Sequence, residues 1–230
     1  MITPEQKRVA KSIVSIFETG KAAGNPAACT ILPDGAGISY GAHQATDASD
    51  SLDAILVEYL RRGGAMQAEA REVLALVQAD LSTRYRSISG AAPGVVRAVE
   101  LLRKMGADPV MAAAQEDVFE RLYWQPAQDQ AEGMGLVEPL SWAVIYDTCI
   151  HSGPGGIAKI RARFAALPPI RGGDERTWAR AYVEARRAWL VSRGGIVAQT
   201  VYRMDAFSAL MAAGRWDLAV PLTVRGVVIQ

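Results

Sequence analysis

The chain has 230 residues, 50% of them hydrophobic and 21% charged, so it can bury a substantial core and fills one or two lobes. Lys and Arg number 25 against 24 Asp and Glu, and the resulting +1 offers neither a polycationic face for nucleic acid nor an acidic tail. No apolar run nears the roughly 20 residues that cross a bilayer, so membrane insertion is not expected, and the N-terminus lacks the basic and apolar regions of a secretory signal.

Thr3-Pro4-Glu5-Gln6 reads as a helix start: Thr3 caps, Pro4 suits the first helical position and Gln6 completes a capping box. Val9, Ile13, Ile16 and Phe17 follow at helical spacing, and Gly20 stops the helix. Glu18 falls in the last turn, where the negative end of the helix dipole disfavours an ionised carboxylate, as a general acid requires. After a loop at Gly24-Asn25-Pro26, Thr30-Ile31-Leu32 and Ile38-Ser39-Tyr40 flank Pro33-Asp34-Gly35-Ala36-Gly37 as a short hairpin, the one β signal in the chain.

Beyond it the pattern is helical. Leu52, Ile55, Leu56, Tyr59 and Leu60 mark a helix capped near Ser49 or Asp50 and ended by Gly63-Gly64; Val73, Leu74, Val77 and Leu81 mark the next, and Val95, Val99 and Leu102 another. Val118, Phe119 and Leu122 predict a helix ending at Pro126, and Leu140, Val144, Ile145 and Thr148 one from Pro139 to Gly153-Pro154. Ile157, Ile160 and Phe164, then Trp178, Tyr182 and Trp189, then Met204, Phe207, Leu210 and Met211 complete the series. The apolar tail from Trp216 to Gln230 is expected to pack. The fold class is therefore mainly α with one small β-hairpin.

Glu18 and Asp34 thus stand on separate rigid elements at the two ends of a Gly/Pro/Asn-rich segment, as glycoside hydrolysis requires of two carboxylates. Taken singly, each has a plain reading, an exposed Glu and a turn Asp. Asp147, among Val144, Ile145 and Ile150, is expected to be buried with a cationic partner. His43 and His151 suit capping or core roles, while Tyr40, Tyr123 and Trp124 are placed to stack on sugars. Cys29 and Cys149 fit either buried thiols or one disulfide, and no CxxC or His/Cys cluster suggests a metal.

The stretches Phe17-Glu18-Thr19, Asp34-Gly35-Ala36-Gly37, Tyr146-Asp147 to His151-Ser152-Gly153, Gly172-Gly173-Asp174-Glu175, Glu184-Ala185-Arg186, Arg203-Met204-Asp205 and Gly214-Arg215-Trp216-Asp217 resemble, in order, those of glycoside hydrolase family 46, the chitosanase family. The resemblance implies a lysozyme-like, two-lobed α+β fold with a cleft between lobes, and residues 1–230 as a single catalytic domain. It implies an inverting endo-hydrolase of β-1,4 bonds in an amino-sugar polysaccharide, either chitosan or bacterial cell-wall peptidoglycan. Glu18 becomes the general acid, Asp34 the general base and Ser39 the hydroxyl that helps hold the attacking water. Asp147, Arg186 and Arg203 form a charged network behind Glu18, while Asp50 and Tyr40 bind substrate.

Arg193 falls where the family often has an acid, which favours a less cationic polymer. An inverting pair would stand roughly 6.5–9.5 Å apart. No metal or organic cofactor is expected, and the protein is expected to be a monomer acting outside the cytoplasm, whether secreted, periplasmic or delivered to the cell wall, with no signal visible in this chain. The competing reading is a non-catalytic, lysozyme-like carbohydrate-binding module of a cell-wall-penetrating assembly.

Overall fold

The computed structural model describes residues 2–32, 37–79 and 93–230. In chain order these form helix α1 (Pro4–Thr19), strands β1 (Cys29–Leu32), β2 (Gly37–Tyr40) and β3 (Ala45–Thr46), and helices α2 (Ser51–Arg61), α3 (Gln67–Val77), α4 (Pro93–Met105) and α5 (Pro109–Phe119). Helices α6 (Gln125–Gly133), α7 (Pro139–Ser152), α8 (Gly156–Arg161), α9 (Glu175–Arg193), α10 (Gly195–Ala198) and α11 (Tyr202–Ala212) follow, then strands β4 (Leu222–Val224) and β5 (Val227–Ile229). Helix dominates, as the hydrophobic spacing predicts, and the described strands form two small antiparallel sheets. Asp34 and Leu81 lie outside the described residues.

The chain divides into two compact units, Met1–Ala22 with Arg121–Gln230, and Ala23–Glu120. In the first, α7 is the central element. Its run from Pro139 to Cys149 is buried on every side, as expected of a helix apolar around its whole circumference, and α1, α6, α8, α9 and α11 pack on it. Helix α1 is fixed at both ends. The Thr3 and Gln6 side chains each bond the other's backbone N–H, and Gly20 takes the left-handed conformation at φ 73° while its N–H bonds the Ile16 carbonyl.

The second unit carries a three-stranded antiparallel sheet in the order β1-β2-β3, with Thr30 opposite Ser39 and Ser39 opposite Thr46. Cross-strand partners share a face, so this register sets three hydroxyl-bearing residues in one row. Helices α2, α3, α4 and α5 complete the unit, α2 packing on both α3 and α5.

Two elements depart from the sequence expectation. The helix predicted to end at Pro126 instead passes through a π-helical stretch, Glu120–Trp124, and continues as α6 with Pro126 in its first turn. The widened turn resets the hydrogen-bond register, and a proline in a helix's first turn lacks only an N–H that has no intrahelical partner. The tail forms a second antiparallel pair, Leu222 opposite Ile229 and Val224 opposite Val227, so the first hairpin is not the sole β structure. Arg225 and Gly226, at φ 50° and 81°, supply the left-handed pair that a two-residue hairpin turn needs.

Candidate active site

Glu18 sits in the last turn of α1, where Thr19 Oγ1 donates back to the Ser15 carbonyl at 2.8 Å. That turn is clamped by the start of α11. Tyr202 Oη donates to the Phe17 carbonyl at 2.8 Å, and the Phe17 ring meets Tyr202 and Phe207 edge-on, with centroids 6.1 and 5.4 Å away. One turn of α11 thereby fixes the backbone that carries Glu18. Arg203, the next residue along, donates from Nη2 to Glu18 Oε1 and from Nη1 to Asp147 Oδ1 at 2.7 Å.

Asp147, fully buried on α7, receives a second arginine from α9: Arg186 Nη1 donates to its Oδ2 at 2.5 Å and Nη2 reaches its backbone carbonyl at 3.4 Å. Burial alone would raise the Asp147 carboxyl, but Arg186 and Arg203 outweigh it and hold the group below the ordinary carboxylate range. Burial likewise works against charge on Arg203, and Asp147 and Glu18 together keep it cationic. The expected network of Asp147, Arg186 and Arg203 is present, and only Glu18 reaches the surface, at 23% side-chain exposure. His151, one turn beyond Asp147, is pushed down to about 4, first by burial and then by Arg203 and Arg186, so it stands neutral at pH 7.

Ser39 lies on β2 in the second unit, 4% exposed, and lines a pocket of about 620 Å³ with Thr30, Gln44 and Arg103. Gln115 of α5, absent from the sequence reading, braces that pocket's walls. Its Oε1 accepts from the Ala42 N–H and its Nε2 donates to the Pro26 carbonyl, both at 2.9 Å. Gly41, at φ 82°, is required there, because a Cβ would lie 2.5 Å from the Gln115 amide. No periodicity marks Gln115. Its role comes from contacts 73 and 89 residues away in sequence.

Other expected side chains are placed differently. Tyr40 is 1% exposed, with burial raising its phenol, so its ring offers no face to a sugar. Trp124 is buried too, against Trp142 and Tyr146 with Lys7 over its ring, and Tyr123 packs on the core. Aromatic spacing alone did not separate core rings from stacking platforms. Asp50 is exposed at φ 56° before α2 and makes no side-chain cap bond. Ser49 turns back to the Thr46 carbonyl instead.

Arg193 is exposed at the end of α9 beside the Trp189 ring. His43 stacks on Phe119 with centroids 4.5 Å apart and meets Glu116 at 3.2 Å. Cys29 and Cys149 are buried free thiols, both pushed up to about 12 by burial. Among the described residues no cluster of His, Cys, Asp and Glu fits a metal, and no helix is long and apolar enough to cross a membrane.

A surface glutamate at a helix end, tied by arginine to a buried aspartate, belongs in this mainly helical setting to a carboxylate-based glycoside hydrolase. The chain belongs to glycosyl hydrolase family 46, whose family model matches residues 12–222. It is similar to the chitosanase of Bacillus subtilis strain 168, 25% identical over 237 residues that cover 97% of this chain and 83% of that protein. The chitosanase of Streptomyces sp. strain N174 is 33% identical over 123 residues, 50% of this chain and 43% of that one. Among solved structures, the family 46 chitosanase of Gynuella sunshinyii in complex with chitotetraose superposes at a TM-score of 0.81 and 25% identity, covering 100% of this chain and 98% of that one. The native chitosanase of Bacillus subtilis MY002 superposes at 0.82 and 23% identity over the whole of both chains.

Proposed function

We propose that the protein is an inverting endo-chitosanase, with residues 1–230 working as one catalytic domain on an extracellular amino-sugar polysaccharide. Glu18 protonates the glycosidic oxygen as the bond breaks. Asp34, assisted by the Ser39 hydroxyl, deprotonates a water that attacks the opposite face of the ring. Asp50 offers an exposed carboxylate to a glucosamine ammonium.

The observation that carries this reading is the bridge from buried Asp147 through Arg203 to Glu18, which orients one carboxylate at the surface and ties it to a fixed charge. Its support from relatives is that family members with solved complexes include one bound to chitotetraose. Product analysis on chitosan and on peptidoglycan side by side, with the anomer followed by NMR, tests it. Release of α-configured reducing ends from chitosan is expected. Products from peptidoglycan alone would overturn the substrate, and retained anomeric configuration would overturn the mechanism.

A further inference from the structure

The turn of the C-terminal hairpin runs against the usual residue preference. A two-residue turn with both φ angles positive favours Asn, Asp or Gly at its first position, yet Arg225 stands there at φ 50°, a conformation that costs an L side chain stability. What the arginine gains is a contact outside the hairpin. Its guanidinium lies 4.0 Å from the centre of the Tyr202 ring, well inside the ~6 Å reach of a cation–π interaction. The hairpin has other anchors. Leu222, Val224 and Ile229 are buried in the core, Arg215 Nη2 donates to the Pro221 carbonyl at 3.0 Å, and Arg8 reaches the Gln230 carbonyl.

Tyr202 is the residue whose Oη donates to the Phe17 carbonyl, at the helix end that carries Glu18. That carbonyl is among the last four of α1, for which no further helical turn supplies N–H donors. The N–H that a continued helix would bring to it belongs to Lys21, and that group donates to Thr19 Oγ1 at 3.2 Å instead. Holding the last turn therefore falls to Tyr202, half-buried at the start of α11, whose ring meets Phe17 edge-on and lies under Arg225. We propose that Arg225 is a positioning residue for hydrolysis: by pinning the Tyr202 ring it fixes the hydrogen bond to the Phe17 carbonyl, and so the direction in which the Glu18 carboxyl meets the glycosidic oxygen. This role rests on Glu18 being the general acid. Its size is bounded by the contact that supplies it, because a cation–π contact at an exposed site corresponds to a factor of about two to five.

Steady-state kinetics on chitosan supply the first test. Arg225→Asn suits the turn better than arginine does, so the melting temperature should hold or rise while kcat falls about fivefold at unchanged KM. Arg225→Lys, which keeps a cation over the ring, should restore most of the lost rate. Tyr202→Phe should lower kcat about tenfold, the loss of one hydrogen bond, and adding Arg225→Asn to it should lower kcat no further, because both act through the same bond. An enzyme made slower without being made less stable is not what a merely structural arginine gives. A raised KM with kcat intact would make Arg225 a substrate contact, parallel losses of kcat and melting temperature would make it structural, and additive losses in the double variant would separate it from Tyr202. Each of these overturns the assignment.

The second test needs no turnover. With the carbonyl carbons labelled, the NMR shift of the Phe17 carbonyl carbon reports the hydrogen bond it accepts, and Arg225→Asn should move it part of the way toward its value in Tyr202→Phe. An unmoved resonance overturns the link from the turn to the acid. A moved resonance in a protein that releases no products from any amino-sugar polymer supports the link and overturns the proposed function instead.

Discussion

Arg203 holds two carboxylates, and its removal affects each differently. Arg203→Met should leave Asp147 with a single cation and cost about 3–5 kcal/mol, the usual effect of breaking a buried ion pair, read as a fall in melting temperature. Glu18→Gln should leave the melting temperature within a few degrees and lower kcat by a factor on the order of 100–10,000, the contribution of one general acid. Near-normal turnover would remove Glu18 from the mechanism. His151 adds a pH dependence with a definite sign. Its folded value of about 4 lies below an unfolded value of about 6.5, so the unfolded chain takes up a proton first as pH falls. Stability is full above pH ~6.5 and declines by up to ~3 kcal/mol as pH drops toward 4. His151→Gln should flatten that part of a plot of melting temperature against pH, and an unaltered plot would assign the decline to other groups. The charged partners were legible at this scale because the resemblance placed them, and burial of Asp147 followed from its apolar neighbours. Gln115 and Arg103 were not, since a lone amide and a surface arginine have no local pattern that reveals what they reach.

Among the elements, α1 and α7 are legible in the sequence because their signals are local: a capping box at one, a run of apolar residues closed by prolines and glycines at the other. Thr3→Ala should therefore cost about 1 kcal/mol in denaturant unfolding, with no effect on the slope. The π stretch before α6 is not legible there because a proline reads as a stop, and only the packing of Trp124 and Ala127 accounts for the continuation of the helix. The β4–β5 pair is hidden for a related reason, its strands being three residues each, too short for alternation to register. Helix α4 ends against the loop that precedes β1, where a Cβ on Gly106 would lie 2.3 Å from the Ala27 Cα. Because Ala27 also lines the Ser39 pocket, Gly106→Ala should displace that wall and raise KM several-fold more than it lowers kcat. An equal fall in both would mean general destabilisation.

For the molecule as a whole, near-neutrality conceals an uneven distribution. Residues 23–120 hold thirteen Asp and Glu against eight Lys and Arg, a formal −5, and the remainder hold eleven against seventeen, a formal +6. Composition could not show this, because the division of the chain that matters is discontinuous. A polycation should be drawn to the acidic unit, so KM for chitosan should rise several-fold between about 0.01 and 1 M salt as the screening length falls from ~30 to ~3 Å. A flat dependence would mean that charge plays no part in capture. The same discontinuity bears on biosynthesis. Helix α1 leaves the ribosome well before the surfaces it packs on, which lie on α7 and β5. At about 5–20 residues per second, its apolar stripe waits on the order of ten seconds or longer for its partners, while residues 23–120 are already complete. Glu18 is therefore translated long before Arg203 exists to hold it.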